Sequence, residues 1–406
     1  MRRPPTRPGE APRSRPRRVL PVIVISQFLC TSLWFAGNAI LPDLAMTLQP
    51  DAGLLANLTS GVQLGFITGT LLFAILAISD RFSPSSVFFA CSIMAALANL
   101  GMCLPRINAS ELLFFRALTG FFLAGIYPVG MKITSDYFEE GLGQSLGFLV
   151  GALVIGTATS HLLKSFSSAL PWRFVVYATS ILCLSGGTAI RLLVPDGPYR
   201  TPGRKLELRA LGKAFGNTHF RAAAIGYFGH MWELYTFWAF VPTMLFADHV
   251  GTPNVALLSF VIIGAGGIAC IIGGIYSQHF GAKRLATLFL CLSCACCLLS
   301  PLALHENFAL RLCFLIFWGW VVVADSPLFS SLIARNAPSS QRGSALTLIN
   351  CIGFAITIVS IKTISLCQQH IDSRYLYLLL APGPLFGIAA LFRDRNTNHS
   401  NSNIPN

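Results

Sequence analysis

Apolar residues along this chain do not alternate with polar ones; they run in long blocks parted by short polar breaks. Val19 to Leu41 carries no charged residue, and Leu285 to Leu304 is apolar apart from small residues and one proline. Blocks longer than about 18 residues are long enough to cross the hydrocarbon core of a bilayer. No water is available there, so backbone groups must bond within each segment, and the blocks read as helices. The period-two alternation of a transmembrane barrel is absent. Windows of about 20 residues predict twelve spans: 19–43, 53–78, 86–104, 111–134, 143–165 and 172–193, then 219–246, 255–277, 284–304, 308–333, 343–366 and 375–392.

The longest polar interruption, Pro195–Thr218, is rich in proline, glycine and basic residues and falls at the midpoint. It predicts a linker (195–218) between two six-helix bundles, 19–194 and 219–393, with tails at 1–18 and 394–406. An internal repeat supports the division. Gln27, Phe28 and Pro42 match Tyr227, Phe228 and Pro242 at an offset of 200. Gly120 and Tyr127-Pro128 match Gly319 and Ser326-Pro327 at 199, and Gly143 and Leu146 match Gly343 and Leu346 at 200. The expected fold class is therefore an all-α membrane protein of twelve transmembrane helices in two pseudo-symmetric bundles. Paired halves of this kind place a binding site near the bilayer midplane, between them.

Charge sets the expected orientation. With both termini cytoplasmic, the inner segments hold 21 Lys and Arg and the outer loops hold five: Arg106, Lys164, Arg173, Arg311 and Arg374. Such a bias in short loops follows the positive-inside rule. The first 18 residues contain seven Arg and five Pro. They read as a disordered cytoplasmic tail rather than a secretory signal, because no small-residue cleavage site follows.

Composition narrows the functional classes. The chain has 406 residues, 54% hydrophobic and 11% charged, with a net charge of +13. The positive charge clusters beside hydrophobic spans, so lipid is the expected partner and nucleic acid is not. Most of the 12 Cys lie inside apolar spans, where a thiol behaves as a small hydrophobe. The run Cys291, Cys294, Cys296, Cys297 has no His or carboxylate within it and spreads over different helix faces, so no metal is expected. There is no phosphate-binding loop, zinc-protease motif or nucleophile elbow. Neither an enzyme nor a cofactor is expected.

Two loops carry a resemblance. Ser79-Asp80-Arg81-Phe82 follows the second span, and Gly274 to Arg284 follows the eighth, keeping Gly281, Lys283 and Arg284. Together they resemble the two copies of the loop motif Gly-x-x-x-Asp-Arg-x-Gly-Arg-Arg/Lys of the major facilitator superfamily. Arg116-Ala-Leu-Thr-Gly120 in the fourth span resembles that family's Arg-x-x-x-Gly motif. Ser32 to Asn38 and Gly229 to Tyr235 look similar to uncharacterised bacterial members grouped with nitrate/nitrite porters. The glycine-rich signatures of true nitrate porters are thinned here, and the Gly-Pro motif of drug exporters is missing from the fifth span. The resemblance implies a monomeric secondary transporter of a small solute in the inner membrane, a symporter working by alternating access. Alternatives are an exporter, or a receptor or scaffold on the same fold, although such a receptor would usually carry a substantial soluble signalling domain and none is expected among these 406 residues. It also implies that Asp80 and Arg81, with Asp136, Lys283 and Arg284, form a cytoplasmic latch.

Polar residues inside the spans are the remaining candidates, since a charge at mid-bilayer is costly and usually faces a cavity or a partner. Arg116 is expected to attract an anionic substrate or a proton-carrying carboxylate, with outward snorkelling or a structural pair as the alternative, and Asn38, Gln27, Trp232, Tyr235 and Trp238 are expected to bind substrate. His230 and Glu233, three residues apart, share a helix face and are the first candidates for proton coupling. Carboxylates desolvated in a membrane and histidines can both exchange protons near neutral pH. Asp325, two residues before Pro327, is the next candidate. Lys132 and Lys362 are expected to reach toward the interfaces.

Overall fold

The computed structural model describes residues 18–48, 53–138, 142–166, 171–200, 212, 214–245, 254–338 and 342–401. The basic tail up to residue 17, half of the linker (201–211 and 213) and residues 402–406 lie outside the described residues. Helices account for nearly everything else. Ten of them, among the described residues, are long and apolar enough to cross a membrane. Two further segments complete twelve passes: a first span broken into Val19–Thr31, Ala36–Ala39 and Leu41–Leu48, and the seventh, Thr218–Leu245. The other spans are Leu54–Ile75, Pro84–Cys103, Ala109–Tyr137, Leu142–Phe166 and Arg173–Leu193 in the first half. In the second half they are Val255–Phe280, Ala282–Ala303, Phe308–Asn336, Arg342–Cys367 and Ser373–Asp394. The twelfth continues as a helix to Asn401, past the boundary expected at 393.

The sequence repeat has a packing counterpart. A Cβ on Gly120 of the fourth span would lie 1.9 Å from the Val62 carbonyl oxygen of the second. In the other half, a Cβ on Gly319 of the tenth would lie 2.3 Å from the Ile262 carbonyl oxygen of the eighth. Only glycine permits this backbone approach, and it recurs at equivalent places because the halves share a plan.

The first, fourth and tenth spans are each interrupted, for two reasons. The fourth breaks between Leu123 and Tyr127, and the tenth at Asp325. In both, proline is the second residue of the following helix, where its missing donor and fixed φ are tolerated. The first span breaks at Ser32–Phe35 without a proline. There Thr31 Oγ1 donates to the Gln27 carbonyl (2.8 Å) and Ser32 Oγ to that of Leu29 (2.7 Å), back-bonding that bends helices. The chain then shifts to i→i−3 bonds, Trp34 N to Thr31 O at 3.0 Å and Ala36 N to Leu33 O at 3.3 Å.

The halves meet chiefly through the fifth and eighth spans and through the second and eleventh. Gly151 and Gly267 face each other across the first of these seams. A Cβ on either would come within 2.8 Å of the other's carbonyl oxygen.

Candidate functional site

Between the halves lies a narrow cleft of about 20 Å³, room for roughly one water. The first half contributes Tyr127, Val150 and Leu153. The second half contributes Tyr227, Met231, Tyr235 and Trp238 from the seventh span, Ser326 and Ser330 from the tenth, and Asn350 and Phe354 from the eleventh. None of the lining residues is charged. A larger concavity, about 480 Å³, runs along the outer face of the sixth span between Ile181 and Leu193. Its lining is mainly aliphatic and holds no charged residue, so it belongs to the lipid-facing surface.

An aromatic cluster closes the cleft at the end remote from the linker. Trp34 stacks on Phe354 with centroids 5.6 Å apart and lies 5.8 Å from Tyr235. Phe66 meets Phe354 at 4.6 Å, Tyr235 meets Trp238 at 5.1 Å, and Phe35 meets Trp238 edge-on at 6.3 Å. Trp34, Phe35 and Phe66 belong to one half; Tyr235, Trp238 and Phe354 belong to the other. Polar contacts between the halves gather at the same end. Lys362 Nζ bonds Asn57 Oδ1, and Asn254 Nδ2 donates to the Ser165 carbonyl at 3.2 Å.

Arg116 lies apart from the cleft lining. It is fully buried, and its guanidinium reaches the break in the first span, donating from Nη1 to the Leu33 carbonyl (3.1 Å) and from Nη2 to that of Trp34 (2.5 Å). Ser160 Oγ takes the adjacent Ser32 carbonyl at 2.5 Å. The carbonyls that the break releases are thus met by side chains of the fourth and fifth spans. Asn38, just beyond, donates to Thr59 Oγ1 at 2.7 Å. Gln27 is fully buried, with neither amide atom hydrogen-bonded within the protein. Its Oε1 sits 2.5 Å from where a Cβ on Gly130 would be.

His230 and Glu233 do not pair with each other. Glu233 is 1% exposed and accepts from Trp318 Nε1 at 2.6 Å and from Ser293 Oγ at 2.9 Å. His230 Nδ1 lies 2.8 Å from Asp325 Oδ1, both side chains 1% exposed. Helical geometry separates them: on a helix turning about 100° per residue, His230 flanks the face that carries Tyr227, Met231 and Leu234, and Glu233 is turned a further ~60° away. The Asp325–His230 pair therefore borders the cleft through the neighbours Ser326 and Met231, while Glu233 is enclosed by the ninth and tenth spans. Trp232 also points away, its Nε1 donating to the Leu379 carbonyl at 3.0 Å.

At the linker end the charged residues form two clusters, each within one half. Lys132 Nζ lies 3.0 Å from Asp80 and 3.6 Å from Asp136. Arg200 donates to the Asp80 and Phe82 carbonyls at 3.2 and 2.8 Å. In the second half, Lys283 and His219 share Asp394. Arg81 and Arg284 are exposed. Thus Lys132, expected to snorkel, is the centre of the first cluster, and the partner of Lys283 is Asp394.

Sequence reasoning missed Trp34, Phe66, Phe354, Trp318 and Ser293. Trp34 sat in the motif-like stretch Ser32–Asn38 and was the most available signal; the phenylalanines were indistinguishable from lipid-facing ones.

A family model described as Major Facilitator Superfamily matches residues 23–361, with a second match over 223–403. No curated protein matches the chain. Among solved structures, the human organic anion transporter MFSD10 (TETRAN) superposes with a TM-score of 0.73 at 14% identity, covering 92% of this chain and 99% of that one.

Proposed function

For a chain that belongs to the major facilitator superfamily, and is therefore a multi-pass membrane transporter, we propose proton-coupled carriage of a small organic solute by alternating access. The observation that carries this reading is the unequal contact between the halves. Polar bonds and stacked rings join them at one end, whereas the charge clusters of the other end stay within their own halves. Rocking about the cleft would exchange these contacts, with Asp80, Lys132 and Asp136 on one side and Lys283 and Asp394 on the other regulating closure of the linker end.

The Asp325–His230 pair is the proposed coupling site, because it is buried and adjoins the cleft. A carboxyl beside an imidazole, both 1% exposed, sets two proton-exchanging groups next to the proposed substrate path. Arg116 serves in this reading as the clamp of the broken first span, and the substrate meets neutral rings and hydroxyls. Vesicles containing the purified protein and an internal pH dye provide the test. A solute that drives proton movement in the wild type and not in Asp325→Asn supports the proposal. Solute-driven proton movement undiminished in Asp325→Asn refutes the assigned site.

A further inference from the structure

We infer that the cleft selects a solute with a planar apolar body and neutral oxygen acceptors, held between the indole N–H groups of Trp34 and Trp238. This rests on the carrier reading above and specifies its substrate class. Both indoles are 1% exposed, and the Nε1 of each has no hydrogen-bond partner. Trp232 and Trp318 in the seventh and tenth spans make the contrast, since their Nε1 groups donate to the Leu379 carbonyl and to Glu233. An indole nitrogen is a donor only, so no tautomer or rotation can satisfy it without an acceptor. Buried polar groups are nearly always paired, and exceptions call for an explanation.

The two donors stand on opposite halves and are bridged by the Tyr235 ring, 5.8 Å from Trp34 and 5.1 Å from Trp238. Trp238, Tyr235 and Phe354 also line the cleft. Two donors set among flat rings suit a flat ligand with carbonyl-type oxygens. No Lys, Arg or His is among the lining residues, so the lining itself offers a desolvated anion no direct charged partner and favours a neutral acceptor. A ligand bonded to both indoles would replace the direct ring contacts that now join the halves, so occupancy and opening are linked.

Equilibrium dialysis of the purified full-length protein in detergent, with radiolabelled benzamide, benzoate and benzylammonium, tests this. Benzamide is expected to bind best. Trp34→Phe and Trp238→Phe, which keep a ring and delete the N–H, should each weaken benzamide about fivefold, the size of one net hydrogen bond. Thermal unfolding of both variants checks that they fold, and Trp34→Tyr supplies a second probe should one not. Benzoate or benzylammonium binding as tightly as benzamide overturns the inference, as does undiminished benzamide binding in both phenylalanine variants, or no benzamide binding to the wild type. The vesicle experiment decides the carrier reading separately: movement of any solute with protons upholds it even where benzamide fails.

Discussion

Replacing Arg116 by glutamine removes a guanidinium that holds two carbonyls of the broken first span and leaves an amide too short to reach both. Each charge-assisted bond is worth about 1.5–3 kcal/mol in soluble proteins, whereas interhelical bonds in membranes average nearer 0.6 kcal/mol. With the Leu33 and Trp34 carbonyls both released and the site fully buried, a loss of about 2–4 kcal/mol lies between those limits. Arg116→Lys restores one donor site without the planar fork, so it should recover roughly half of the loss. Scanning fluorimetry of the purified proteins in one detergent should show unfolding temperatures in the order wild type, lysine, glutamine, separated by several degrees. Solute affinity in whatever fraction remains folded should be close to that of the wild type. An Arg116→Gln protein that unfolds like the wild type but has lost binding would refute the clamp and return Arg116 to the substrate.

Asp325→Asn should abolish solute-linked proton movement while retaining solute counterflow, and Glu233→Gln should retain both, because Glu233 is enclosed by Trp318 and Ser293; vesicle flux assays with an internal pH dye distinguish them. Asp80→Asn frees Lys132 from a partner at 3.0 Å whose side chain is 21% exposed, so stability should change by less than about 1 kcal/mol while the balance of open and closed states shifts, as read by spin-label distances across the linker end. Gly120→Val places carbon atoms where the Val62 carbonyl now sits, and should cost at least about 3 kcal/mol by overpacking, seen as loss of folded protein on size-exclusion chromatography.

The twelve passes were legible because crossing a bilayer demands length and apolarity, and both are written locally in the chain. Gly120, Gly319 and the two proline steps were legible through the repeat, since equal backbone approaches need equal small residues. Partner choice was less accessible. His230 and Glu233 share a helix face in sequence, yet ~60° of rotation sends one to Asp325 and the other to Trp318, and only the placement of the tenth span decides between these outcomes. The fate of Arg116 was hidden for a similar reason. Its partners are main-chain carbonyls 82 and 83 residues away, exposed by a break that no proline announces. Lys132 was read as reaching for the interface because it lies near the inner end of its span; Asp136, one helical turn on, was visible as a neighbour, whereas Asp80 is brought to it only by the fold.

The seventh span bears on how the protein is made. Thr218–Leu245 carries His219, Arg221, His230 and Glu233, and it is not among the ten segments apolar enough to cross a membrane alone. On insertion scales each central charge costs about 2.5–3.5 kcal/mol, so this segment would stall at the surface if it emerged from the ribosome by itself. The next one, Val255–Phe280, is the most apolar of the ten, with a mean hydropathy of 2.6. Synthesis of the second half would then proceed as a hairpin, the eighth span drawing the seventh into the bilayer. A nascent chain ending at Leu245 should remain extractable from membranes by alkali, and one ending at Phe280 should not, in chains that begin at the linker.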